Sequence, residues 1–283
     1  MGRLHQIWQF INVQDIRRAL ANPRKAIRVF NSILRQTNAE QVNLDEAASK
    51  EDRREFLMTA FNTVPNELND YLGAFDSSDI ANRINEAEAC FEEKSYSGGG
   101  MQFNGETLYL LTRLLKPDTV LEIGVANGMS TAYLLGALEH EGMDGSTDVY
   151  AIDRPLFESV VRERRGKAGL TGGLVPDKKE ACWIAPRSLR SKYGYQYYVG
   201  DFTEMLDDIL TDIGDVDLAI YDASKDSEEM RWAYQQCLQT LTPGGVLISD
   251  DVLVNDAFQT VVEDSDGVTA VVHNCGLYRK PIQ

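Results

Sequence analysis

The sequence predicts an α/β protein: a doubly wound, mainly parallel sheet with helices on both faces, preceded by a helical extension. Three observations carry this. From about residue 105 onward, short apolar strands alternate with helical stretches, the pattern that builds a parallel sheet covered on both sides. Four of those strands end in an acid, Asp153, Asp201, Asp222 and Asp250, and the carboxyl edge of such a sheet is where ligands bind. The first hundred residues lack the alternation and instead repeat apolar residues at near-helical spacing.

Taken in order, residues 1–35 place Leu4, Ile7, Trp8 and Ile11, then Ile27, Phe30, Ile33 and Leu34, on two helices separated by Pro23. This stretch is basic, with Asp15 its one acid, whereas residues 40–93 are acidic. Such asymmetry suits a peripheral membrane contact. A helical extension packed on its own domain or on a second subunit of a homo-oligomer is the simpler reading, because the polar face is not purely basic and no lipidation motif occurs. SYSGGGMQF, residues 95–103, reads as a hinge. The division is therefore an extension over 1–95, acting as lid, oligomer contact or membrane contact, and an α/β domain over 96–283.

In that domain a helix over about 105–115 leads through Lys116-Pro117-Asp118 into strand VLEIGV, followed by a helix over 130–139. Strand DVYAID ends at Asp153, and a long basic insertion follows, centred on about 160–194. Strand YQYYVGD precedes a helix over 203–211, and strand VDLAIYD a helix over 227–240. TPGG, residues 242–245, turns into VLISDD, and strand-like residues recur over 268–273 and 276–279.

Composition narrows the function. With 28 Lys and Arg against 44 Asp and Glu, the net charge is −16, which argues against nucleic-acid binding. Arg outnumbers Lys, 18 to 10, and an acidic, Lys-poor surface suits a halophilic source. Cys90, Cys182, Cys237 and Cys275 form no CxxC pair and read as reduced structural residues in a cytoplasmic setting. No run is apolar enough to span a bilayer, and the N-terminus lacks the apolar core of a signal peptide.

The stretch VLEIGVANGMS runs a strand into a helix through Gly124-x-x-x-Gly128. This spacing is not GxGxxG, which disfavours a nicotinamide dinucleotide. Gly128 allows close backbone approach to a ligand, and the helix start at Ser130 offers amide donors to a carboxylate. Asp153 is placed to accept hydrogen bonds from a ribose. Carboxylate at the turn, ribose at the second strand and adenine at the third describe S-adenosylmethionine.

From about residue 105 to 279 the chain resembles the class I S-adenosylmethionine-dependent methyltransferases, whose fold is Rossmann-like. EIGVANGMS is similar to their first motif, with Glu122, Gly124, Gly128 and Ser130 in the matching places. The resemblance implies that Glu122 organises the turn and contacts the amino-acid end of the cofactor, that Ser130 lies near its carboxylate, that Asp153 binds ribose, and that Asp201 and Phe202 contact adenine. YDASKD, residues 221–226, has the D-x-x-K-D spacing of catechol-type, metal-dependent O-methyltransferases. Where those carry Asp-Asn, this chain has Asp250-Asp251, as in sugar O-methyltransferases of the macrocin and noviose type.

Asp222, Asp250 and Asp251 come from neighbouring strand ends, so their carboxylates crowd. Converging buried like charges are costly without a counterion, and a hard divalent cation, Mg²⁺ foremost, removes that cost. The expected reaction is methyl transfer to a hydroxyl oxygen. Lys225 is the family-matched base, although neighbouring carboxylates raise a lysine pKa. Asp226 is the reserve, and it equally suits a helix N-cap. In the insertion, Arg162, Arg164, Arg165, Lys167, Lys178, Lys179, Arg187, Arg190 and Lys192 suggest an acidic acceptor such as a uronic acid, with Trp183 stacking on a sugar or adenine face. A solvated or subunit-facing loop explains the same charges. His273 reads as a core residue. The alternatives are a catechol-type enzyme on a small molecule, a non-catalytic S-adenosylmethionine-binding protein and, more weakly, a nicotinamide oxidoreductase.

Overall fold

The computed structural model describes residues 46–93, 105–143, 145–153, 182–263, 265–272 and 274–282. The residues expected to form two N-terminal helices and the hinge, together with His5, His273 and the basic residues from Arg162 to Lys179, lie outside the described residues.

Seven strands form one sheet: β1 (Thr119–Ile123), β2 (Asp148–Asp153), β3 (Gln196–Val199), β4 (Val216–Tyr221), β5 (Leu241–Ser249), β6 (Val268–Val272) and β7 (Cys275–Arg279). Their order is β3-β2-β1-β4-β5-β7-β6. Strands β3 to β5 run parallel, and β7 enters antiparallel to both β5 and β6. From β1 the chain builds outward to β2 and β3, then returns to β4 on the other side. The switch point, where such sheets open a crevice, is therefore between the carboxyl ends of β1 and β4. The strands that flank it are apolar almost throughout because both faces are covered: Val120, Leu121, Ile123, Leu218, Ala219 and Ile220 are fully buried.

One face carries α1 (Glu46–Phe61), α2 (Pro65–Asp76), α3 (Asp79–Glu93), α4 (Gly105–Leu115), α5 (Met129–His140) and the short α6 (Arg187–Lys192). The other carries α7 (Phe202–Ile213), α8 (Ser227–Thr240) and α9 (Ala257–Val262). Leu57, Leu68 and Ile84 of α1 to α3 share one apolar cluster with Leu108, Leu111 and Leu135. Each such side chain contributes about 1.5–3 kcal/mol by leaving water. The described part of the extension, 46–93, is thus packed on the sheet domain as one core. Pro65 opens α2 at its first turn, where its missing N–H costs nothing.

Several boundaries differ from the sequence reading: β3, β4 and β5 end at Val199, Tyr221 and Ser249, one or two residues before the acids expected to close them. Strand β5 begins at Leu241, so TPGG lies inside it, and the β4–β5 register shifts between Val216 and Leu218 to absorb the irregularity. Helix α7 reaches Ile213, and its glycine follows as the C-cap.

Candidate active site

The ends of the central strands are zipped together by backbone hydrogen bonds. Gly124 N donates to Ile152 O (2.9 Å), Asp222 N to Ile123 O (2.8 Å), and Asp250 N to Tyr221 O (2.9 Å). This ladder sets Asp153, the glycine turn, Asp222 and Asp250 side by side. Gly124 has φ +92°, and a Cβ there would lie 1.9 Å from the carbonyl oxygen of Asp222. Only glycine brings the turn this close to the neighbouring strand end.

Asp153 holds the turn. Its Oδ2 accepts hydrogen bonds from Val125 N (3.1 Å) and Ala126 N (2.7 Å). Glu122, fully buried beneath it, accepts from the hydroxyls of Ser130 and of Thr131 (2.7 Å). Burial pushes the Glu122 carboxyl up to about 7; the two hydroxyls oppose this, while Asp153 and Asp222 reinforce it. Ser130, expected near a ligand carboxylate, is buried, and its hydroxyl donates to Glu122. The physical reason is that a buried carboxylate needs donors, and α5 supplies them from its first turn.

At Gly128 (φ +82°) the close neighbour is the chain itself. A Cβ would meet Cys182 Sγ at 2.5 Å. Cys182 N donates to Ala126 O and Ile184 N to Asn127 O, both at 3.0 Å. Trp183 Nε1 donates to Asn127 Oδ1 at 2.8 Å. Arg83 of α3 clamps this segment from outside, donating to the carbonyls of Ile184 and Trp183. Trp183, expected against a sugar or adenine face, is braced on the glycine turn by its indole N–H.

Asp222, Asp250 and Asp251 converge: one carboxylate oxygen from each lies within 4.8 Å of the others. Asp250 is buried, and burial, then Asp222 and Asp251, push its carboxyl up to about 8. Asp251 adopts φ +56° and accepts from Asn274 Nδ2 at 2.6 Å. Lys225 Nζ sits between two of the carboxylates, 2.8 Å from Asp222 Oδ1 and 3.0 Å from Asp251 Oδ2. Burial alone would lower its pKa, but Asp222, Asp251 and Asp250 outweigh this and hold the ammonium well above the usual lysine range. In this arrangement Lys225 is a paired cation, in keeping with the raised pKa that neighbouring carboxylates impose on it. Asp226 takes the second of the two roles open to it. Its Oδ1 accepts from Glu228 N (3.0 Å) and Glu229 N (3.2 Å), making it the N-cap of α8.

Asp201 lies next to Asp153, since Gly200 N donates to Asp153 O at 2.9 Å. Its carboxylate caps α7 through Thr203 N (3.1 Å) and Thr203 Oγ1 (2.9 Å). The Phe202 ring, 3% exposed, turns into the core, edge-on to Tyr221 at 5.9 Å. It packs in the layer beneath α7. Arg187 is exposed on the first turn of α6, and Arg190 lies over the Tyr195 ring at 5.9 Å. Helix α6 descends from the turn toward the far end of α5, where Lys192 pairs with Glu139 at 2.7 Å. His140, at the same far end, is bonded to Tyr109.

Sequence reasoning missed Arg83, Thr131, Asn127 and Asn274. Thr131, a second hydroxyl beside Ser130, was the one with a local signal. The donor set of the cluster, three carboxylates, suits a hard divalent cation.

Residues 121–252 match a family model described as "Methyltransferase domain". No curated protein matches the chain. Among solved structures, it is similar to an O-methyltransferase from Bacillus cereus in complex with SAH (15% identity, 70% of this chain and 91% of that chain, TM-score 0.47). It is also similar to the O-methyltransferase TomG from Streptomyces achromogenes, in complex with SAM (17% identity, 70% and 89%, TM-score 0.47). A third is described as a caffeoyl-CoA O-methyltransferase from Staphylococcus aureus (14% identity, 74% and 95%, TM-score 0.49). Among the described residues, no helix is long and apolar enough to cross a membrane.

Proposed function

We propose that the protein is an S-adenosylmethionine-dependent O-methyltransferase, that Asp222, Asp250 and Asp251 hold a Mg²⁺ ion, and that the acceptor is a hydroxyl of a sugar or glycan. The observation that carries this reading is the packing of Gly124 against the carbonyl of Asp222. It makes the cofactor turn and the carboxylate cluster two walls of one crevice, so a donor on the turn and an acceptor at the cluster would meet.

Each residue then has a task. Asp153 fixes the turn through Val125 N and Ala126 N and faces the ribose. Glu122 locks the start of α5 through Ser130 and Thr131, keeping the helix amides aimed at the cofactor carboxylate. Holding both reactants in register lowers the barrier by making the transfer effectively unimolecular. Mg²⁺, when bound, would lower the pKa of the acceptor hydroxyl. Asp222 and Asp251 favour the charged form of Lys225, so it could take the acceptor's proton only after parting from both and first releasing its own proton to solvent.

A sugar acceptor is supported by the Asp250-Asp251 pair and its resemblance to sugar methyltransferases, and an acidic one by the exposed Arg187 near the turn. Free thiols at Cys90, Cys182, Cys237 and Cys275 support a reducing, cytoplasmic setting. The test is transfer of a labelled methyl group from S-adenosylmethionine to uronic acids, neutral sugars and catechols, each with Mg²⁺ and with EDTA. Labelled sugar with Mg²⁺ alone supports the reading. Labelled catechol alone removes the sugar, full turnover in EDTA removes the metal, and no transfer to any acceptor favours a cofactor-binding protein without catalysis.

A further inference from the structure

Consecutive side chains of an extended chain point to opposite sides, so Asp250 and Asp251 would diverge if the backbone ran on from β5 unchanged. Instead, one carboxylate oxygen of each lies within 4.8 Å of the other and of one from Asp222. The chain achieves this at Asp251, which leaves the extended region for the left-handed one (φ +56°, ψ 30°). Residues with a side chain seldom adopt that conformation. Aspartate visits it more readily than most, and keeps it where its surroundings hold it there.

What holds it is Asn274, the residue before β7. Val252 N donates to Asn274 O at 2.9 Å, Leu253 N to Asn274 Oδ1 at 2.8 Å, and Asn274 Nδ2 to Asp251 Oδ1 at 2.6 Å. The chemistry of the donors fixes which way the side-chain amide points. A backbone N–H only donates, so the amide oxygen faces Leu253 and the amide NH₂ faces the carboxylate. Lys225 Nζ meets the other oxygen, Asp251 Oδ2, at 3.0 Å. The Asp251 carboxylate is therefore oriented from both sides, once by the loop after β4 and once by the start of β7.

We infer that Asn274 is a positioning residue: it holds Asp251 in its left-handed turn and so makes that carboxylate a member of the cluster with Asp222 and Asp250. This rests on the metal reading proposed above and adds to it the residue that sets one of the ligands. A hydrogen-bond partner behind a ligating carboxylate tunes metal affinity through orientation, without touching the ion. Asn274→Ala deletes both side-chain bonds and keeps the backbone bond from Val252 N. The loop stays tied to β7, while Asp251 loses its donor.

Mn²⁺ is titrated into the full chain as wild type, Asn274→Ala, Asp251→Ala and the double variant, with bound ion read by electron paramagnetic resonance and the fold of each followed by urea unfolding. Asn274→Ala should weaken Mn²⁺ binding roughly tenfold to a hundredfold. Added to Asp251→Ala it should change little further, because its target is gone. A merely structural role would lower the urea midpoint and leave Mn²⁺ affinity alone. The second measurement needs no metal: in a crystal structure of Asn274→Ala, Asp251 should leave the left-handed region. Wild-type Mn²⁺ affinity in Asn274→Ala overturns the inference, as does equal weakening with and without Asp251, or an Asp251 that keeps its turn in the variant. If Asp251→Ala binds no Mn²⁺, the crystal structure decides. Should Asn274→Ala fail to fold, the side-chain amide resonance of Asn274 in wild type decides: it should move as Mg²⁺ saturates the protein, and an unmoved resonance overturns the inference. If Mn²⁺ does not bind wild type, the metal reading falls and this inference with it; Mn²⁺ bound equally by wild type and Asn274→Ala removes this inference alone.

Discussion

Replacing Glu122 with Gln should change how stability depends on pH, by an amount the burial of this side chain sets. Glu122 is fully buried, and burial lifts its carboxyl from an ordinary 4.5 to about 7 against the pull of Ser130 and Thr131. A carboxyl whose folded pKa exceeds its unfolded value favours the fold when protonated. That contribution is complete below about pH 4.5 and is lost as pH rises through about 7. The interval corresponds to about 3 kcal/mol. Gln is neutral throughout and still offers an oxygen to one of the two hydroxyls. The stability of Glu122→Gln relative to wild type should therefore rise by about 3 kcal/mol between about pH 5 and pH 8. The measurement is urea unfolding of both proteins, without cofactor, at steps across that range. Asp250, also raised, is present in both proteins and cancels in the difference. A difference that stays flat with pH would refute the reasoning, because it would mean that Glu122 titrates alike in folded and unfolded chains.

Asp153→Ala should weaken S-adenosylmethionine binding roughly tenfold to a hundredfold by calorimetry, the loss of a charged acceptor at the ribose; unchanged affinity removes Asp153 from the cofactor site. Asp226→Ala should cost about 1 kcal/mol in urea unfolding, as expected for a lost N-cap, and leave Mn²⁺ affinity as in wild type. Turnover abolished with stability intact would restore it as a base. Arg83→Met releases two carbonyls of the segment laid on the glycine turn, and at about 0.5–1.5 kcal/mol per bond it should weaken S-adenosylmethionine several-fold, with Lys retaining part of the effect. Wild-type affinity in Arg83→Met would show that α3 has no hold on the turn.

The parallel sheet and the acids at its edge were legible because both are local patterns. Apolar runs such as VLEIGV and VDLAIY announce buried strands, and strand ends in a parallel sheet share one edge. The spacing of Asp222 and Lys225, with Asp250-Asp251 at the next strand end, was enough to anticipate a carboxylate cluster with a lysine beside it. What spacing does not carry is the state of each side chain. Asp226 and Asp201 sit one residue before a helix, and free amides there claim their oxygens. Phe202 follows Asp201 in a stretch that reads as ligand-facing, yet helix α7 starts at once and rotates its ring into the core. Arg83 was out of reach because its two acceptors lie a hundred residues away. For Lys225 the neighbouring acids already argued for a raised pKa, and what only the placed side chains add is which carboxylate oxygens it meets, Asp222 Oδ1 and Asp251 Oδ2.

The central claim is that the glycine turn between β1 and α5 binds S-adenosylmethionine. Calorimetric titration of the wild-type chain, in parallel, with S-adenosylmethionine and with NAD tests it most directly. Saturable binding of S-adenosylmethionine, one molecule per chain, and none of NAD is the expected result. Saturable binding of NAD with no heat from S-adenosylmethionine would contradict it.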